Sequence, residues 1–99
     1  MNWYVAIRRM REPPASFASR LDAHLTWLKA MHEQGTIIMS GPSTDLSLGI
    51  YVMRARNTAE AGRLASADPL LKSPGATLEV TEWQLHQILG VGAFSVSAS

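Results

Sequence analysis

Four β-rich runs separated by helix-patterned stretches, in the order strand, helix, strand, strand, helix, strand, constrain this chain more than any other feature. The first run, Asn2 to Arg8, carries apolar residues on both alternating sets, as in a strand covered on both faces. Glu12-Pro13-Pro14 breaks it. Ser16 is a candidate helix cap, after which Phe17, Leu21, Leu25, Leu28 and Met31 keep helical spacing until Gly35. Thr36 to Ser40 and Gly49 to Arg54 read as a hairpin, joined through Gly41-Pro42 and a polar loop containing Ser43, Thr44, Asp45 and Ser47. Asn57 with Glu60 three residues on resembles a capping box, opening a second helix through Ala61, Leu64 and Ala65. That helix should stop around Asp68, because Pro69 disfavours helical geometry before it. Thr77 to Trp83 alternates in the manner of a last strand.

This order is the split βαβ, or ferredoxin-like, arrangement of an α+β sandwich, with both helices on one sheet face. The opposite face is then left with apolar side chains of the first and third strands, and such a patch usually marks an interface. Two sheets packed face to face would close a dimeric α+β barrel, so a homodimer through the open sheet face is expected. The 99 residues suit one domain, over residues 1–84, and hence one kind of site. In the tail, residues 85–99, Leu85, Ile88 and Leu89 fit a short helix or an arm, and Ala93 to Ser99 is small and polar enough to fray.

Composition removes several classes of function. Nine Lys and Arg against eight Asp and Glu give a formal charge of +1, with the bases scattered, which is no footprint for nucleic acid. Arg8, Arg9 and Arg11 come closest to a cluster and read as a solvated strand end. Without cysteine there is no disulfide, thiolate metal site or thiol nucleophile. No run is long enough for a membrane span, and the first residues enter a strand directly, so no membrane partner and a cytoplasmic location are expected. The three histidines lie on separate elements without ligand spacing, and no glycine-rich phosphate loop is present, so no metal and no cofactor are expected. His32, in the last turn before Gly35, and His86 read as structural or exposed.

Two titratable side chains stand out. His24 lies three residues after Leu21 and four before Leu28, in the middle of the apolar stripe. Asp68 stands four residues after Leu64 and seven after Ala61, so continued helical geometry would turn a carboxylate inward too. At a helix C-terminus that carboxylate opposes the macrodipole, and burial disfavours its charge, so a partner is required. Two readings stand open: His24 and Asp68 form an acid/base pair, or His24 is a core histidine on a backbone carbonyl while Asp68 caps the turn before Pro69. Ser40, the backbone of Gly41, Tyr4, Arg8 and Tyr51 are further candidates to contact a ligand, although the tyrosines also suit packing and Ser40 its own turn.

Over about residues 3 to 83 the chain resembles the YciI-like (YCII-related) family. The resemblance rests on the aromatic first strand, Ala23-His24-Leu25-Thr26-Trp27-Leu28, Ser40-Gly41-Pro42, Ala67-Asp68-Pro69-Leu70 and the closing Val80-Thr81-Glu82-Trp83. It implies a ferredoxin-like dimer similar to muconolactone isomerases, with a His and Asp pair that falls on His24 and Asp68. The family includes a dehydrochlorinase acting on a chlorinated hydroxyhydroquinone. The function implied is therefore a cofactor-independent lyase or isomerase moving a proton on a small cyclic or aromatic substrate. The alternative is a ligand-binding or accessory dimer in which the pair is architectural. The short loop between residues 41 and 49 and the extra tail depart from the family pattern and bear on pocket shape.

Overall fold

A computed structural model describes residues 1–89 and the backbone of residues 91 and 92. The elements are β1 (Asn2–Arg9), α1 (Pro14–Phe17), a 3-10 turn (Ala18–Arg20), α2 (Leu21–Glu33), β2 (Ile37–Pro42), β3 (Leu48–Ala55), α3 (Thr58–Ala65), a second 3-10 turn (Pro69–Lys72) and β4 (Thr77–Trp83). The four strands form one antiparallel sheet in the order β2-β3-β1-β4, the ferredoxin-like topology. Central β1 pairs with β3 from Asn2 opposite Ala55 to Arg9 opposite Leu48, and with β4 from Trp3 opposite Trp83 to Arg9 opposite Thr77.

The alternation of β1 sorts its side chains. Tyr4, Ala6 and Arg8 are buried beneath the helices, whereas Trp3, Val5 and Ile7 are half-buried on the other face. The helices of this chain thus cover one of the two apolar faces read in that strand. Small residues Ala6, Ala55, Ala61 and Ala65 are fully buried where α3 crosses the sheet, and Tyr4, Ile37, Met53 and Met31 fill the rest of the main core.

The first helix begins earlier than its apolar spacing indicates, and in pieces. Ser16 lies inside α1, its hydroxyl donating to the carbonyl of Pro13 at 2.7 Å, and Pro14 occupies the first helical turn. The 3-10 turn at Ala18–Arg20 then advances about 120° per residue against about 100° in an α-helix, so the phase counted from Phe17 is lost. Leu21 and Leu25 are consequently 39% and 57% exposed, while His24 and Met31 are buried.

The second helix opens as expected, the Asn57 side chain accepting from the Glu60 amide at 2.8 Å and Glu60 reaching back to the Arg56 amide at 3.0 Å. It ends at Ala65, three residues before Asp68. With φ −58° and ψ 119°, Asp68 is the cap of the following 3-10 turn, accepting from the Leu70 amide at 2.9 Å. Its carboxylate therefore sits at the favourable N-terminal end of a helical turn and not at an opposing C-terminus. Pro69 causes this, by excluding helical geometry from the residue before it.

Beyond β4, Gln87–Ile88 (β5) and Val91–Gly92 (β6) pair as a small antiparallel hairpin, where a short helix or an arm was expected. The fraying expected from Ala93 to Ser99 lies outside the described residues.

Candidate active site

Four polar side chains from four elements meet under α2. Asp68 Oδ1 lies 2.7 Å from Nδ1 of His24 and accepts the Leu70 amide. Its Oδ2 lies 2.7 Å from Nη1 of Arg8, on β1, and accepts the hydroxyl of Tyr51, on β3. Arg8 Nη1 also donates to the Tyr51 oxygen. Asp68 is 1% exposed, Tyr51 2%, Arg8 4% and His24 8%. A carboxylate offers about four lone-pair positions, and here four donors fill them.

Burial by itself would raise the pKa of Asp68, but the hydrogen bonds from His24, Tyr51, the Leu70 amide and Arg8 overcome it and hold the pKa down at about 2. Tyr51 is driven in the opposite direction. Burial, then the hydrogen bond to Asp68 and its negative charge, push the phenol well above its ordinary value despite Arg8. The site at neutral pH therefore holds an ionised Asp68 and a neutral Tyr51 that donates. An ionised carboxylate can only accept, so Nδ1 of His24 carries a hydrogen and, in the neutral ring, Nε2 carries the lone pair. Nε2 has no partner among the described residues and is not sealed from solvent.

His24, Arg8 and Tyr51 form the polar end of a cavity of about 180 Å³. Its other walls are apolar: Pro14, Phe17, Leu21, Leu25, Leu28, Pro42 and Leu46, with Gly41 and Gly49 contributing backbone. Exposed Leu21 and Leu25 thus line a cavity, which accounts for their escape from the core. Leu46 is held over it by an Asp45-centred loop: Asp45 Oδ1 accepts from the Ser43 and Ser47 hydroxyls, each at 2.7 Å, and from the Ser47 amide at 3.0 Å. Leu46 itself takes a left-handed φ of 65°.

The sequence candidates distribute unevenly. His24, Asp68, Arg8 and Tyr51 come together, and Gly41 lines the cavity beside them. Tyr4 and Ser40 do not line it. Tyr4 shares a face with Arg8 but stands four residues away, roughly 13 Å along the strand, its hydroxyl 3.5 Å from Glu82. Ser40 is bonded to His32 Nε2 at 2.7 Å. Arg8 is not part of a solvated cluster, since it is buried while Arg9 and Arg11 are exposed. The other cavity residues, Pro14, Phe17, Leu21, Leu25, Leu28, Pro42, Leu46 and Gly49, were missed as site residues. Gly49 left one usable signal, a glycine leading an otherwise apolar strand, which marks close approach by another group. Among the described residues, no group of three or more His, Asp or Glu could hold a metal ion, and no helix is long and apolar enough to cross a membrane.

An α+β ferredoxin-like fold with a buried His and Asp pair at the polar end of an apolar cavity defines the class. The chain belongs to the YCII-related domain family, whose model matches residues 3–84. It is 34% identical over 64 residues to the uncharacterized protein YjpA of Bacillus subtilis (strain 168), a match covering 65% of this chain and 75% of that protein. Its fold is similar to that of 5-chloro-2-hydroxyhydroquinone dehydrochlorinase (TftG) from Burkholderia phenoliruptrix AC1100, solved in complex with 2,5-dihydroxybenzoquinone. That superposition has a TM-score of 0.71 at 20% identity and covers 86% of this chain and 95% of the other.

Proposed function

We propose that the protein is a cofactor-independent enzyme of lyase or isomerase type, in which His24 and Asp68 move a proton on a small cyclic or aromatic substrate. The observation that carries this reading is the 2.7 Å bond from His24 Nδ1 to Asp68, which leaves Nε2 without a partner among the described residues on a ring that lines an apolar cavity. A cavity of about 150 Å³ is enough for benzene, so the 180 Å³ here suits one six-membered ring. Nε2 takes a proton from the bound ring, and the imidazolium that forms is stabilised by Asp68, which stays ionised. In an elimination the electron pair released then expels a leaving group as its anion. In an isomerisation the same proton returns to a different carbon. The similarity in fold to a dehydrochlorinase supports the first of these.

The proposal includes a homodimer through the open sheet face, where Met39, Ile50 and Trp83 are exposed beside half-buried Trp3, Val5, Ile7 and Val52. The proposal also includes a cytoplasmic location, with which the cysteine-free composition is compatible. One observation favours the second reading, a ligand-binding or accessory dimer with an architectural pair: Asp68 ties α2, β1 and β3 together and caps its own turn. The test is turnover of 5-chloro-2-hydroxyhydroquinone and related single-ring phenols and lactones by pure protein. Activity lost in both His24→Ala and Asp68→Asn, with the fold retained, supports the enzyme. Activity retained in both would falsify the acid/base assignment.

A further inference from the structure

Arg8 is buried in a manner that Asp68 alone does not explain. A guanidinium has five N–H donors in a planar fork. Nη1 spends both of its own, on Asp68 and Tyr51. Nε is sealed from solvent and has no acceptor. Nη2 has no partner among the described residues and is not sealed. The four acceptor positions of Asp68 are already taken, so it cannot serve these remaining donors.

The guanidinium also lies where only a glycine could face it. Arg8 and Gly49 are cross-strand partners, and a Cβ at position 49 would fall 2.4 Å from Nη2, 2.6 Å from Cζ and 2.8 Å from Nη1. They are the end of a buried side chain anchored through Nη1, so a Cβ there would displace the guanidinium and pull Nη1 from Asp68 and Tyr51. Arg8 and Gly49 both line the cavity, next to His24.

We propose that Arg8, seated on the bare backbone of Gly49, binds an anionic oxygen of the ligand, so that this cavity selects single-ring carboxylates, phenolates or enolates over neutral or cationic rings of the same size. This deepens the function proposed above by naming the ligand's charge. It rests on that reading for the location of the site but not for the proton transfer, because Arg8 anchors the oxygen while His24 Nε2 remains free. Gly49 acts as a positioning residue through Arg8.

Benzoate, benzamide and benzamidine have nearly the same shape and carry negative, zero and positive charge, and their affinities by calorimetry test the proposal. Benzoate should bind about tenfold tighter than benzamide, and benzamidine weakest. Gly49→Ala keeps every charge and should collapse that preference towards unity, with circular dichroism confirming the fold. His24→Ala should retain the preference, separating this inference from the acid/base assignment. Equal or tighter binding of benzamide or benzamidine, no binding by any of the three, or an unchanged preference in Gly49→Ala would overturn it.

Discussion

Replacing Asp68 by Asn should be among the most damaging single changes available to this protein. The carboxylate takes two donors on each oxygen: His24 and the Leu70 amide on one, Arg8 and Tyr51 on the other. An Asn amide fits only one of those pairs with its oxygen and turns an NH2 towards the other. At least two bonds are lost, and Arg8, 4% exposed, becomes a buried cation without a counter-charge. Breaking a buried pair in this way costs about 3–5 kcal/mol. At about 4–8 °C per kcal/mol for a domain of this size, Tm should fall by roughly 12 to 40 °C. Urea denaturation followed by tryptophan fluorescence, at fixed protein concentration, measures the loss. The double variant Arg8→Met with Asp68→Asn removes the stranded cation, so it should be more stable than the sum of the single changes by about 1–3 kcal/mol. A loss below about 1 kcal/mol for Asp68→Asn, or strict additivity, refutes the idea that the buried charges depend on one another.

The same carboxylate sets an acid limit. Its folded value of about 2 lies below the ordinary 3.8, so its stabilisation is complete above that value and drains away as pH falls from 3.8 through 2, a slope that should flatten in Asp68→Asn. Tyr51→Phe should cost about 1.5–3 kcal/mol, the worth of a hydrogen bond to a charged group, by the same denaturation assay. Because the Tyr51 phenol is raised, wild type should also lose stability as pH climbs past the ordinary 10, and Tyr51→Phe should lose less over that range. Light scattering should give a two-chain mass for wild type and a one-chain mass for Val52→Lys, which places a charge on the open sheet face; a one-chain mass for wild type removes the dimer from the account.

Much of this site was legible in the sequence because periodicity carries across several elements. Alternation along β1 puts Tyr4, Ala6 and Arg8 on one face, and the spacing of α2 points His24 inward. Asp68 was reached by a geometry that does not exist, since α3 ends three residues earlier, and Pro69 instead makes it a cap whose carboxylate turns the same way. The 3-10 turn at Ala18–Arg20 left no periodic trace, and with it went the true exposure of Leu21 and Leu25. Two further walls lie where no periodic pattern reaches: Pro14 opens a four-residue helix after a proline break, and Leu46 hangs from a loop set by hydrogen bonds to Asp45. Tyr4 shows the limit of face-based reasoning, for it shares the face of Arg8 and still does not line the cavity.

The proposed proton transfer requires neutral His24 with an unprotonated Nε2, and the nitrogen-15 NMR spectrum of the neutral ring measures this. The expected result is the Nδ1–H tautomer in wild type, with Nε2 as the bare nitrogen, and loss of that preference in Asp68→Asn. An Nε2–H tautomer in wild type, or a spectrum indifferent to Asp68, would mean that His24 presents no base to the cavity, and the proposed proton transfer would have to be abandoned.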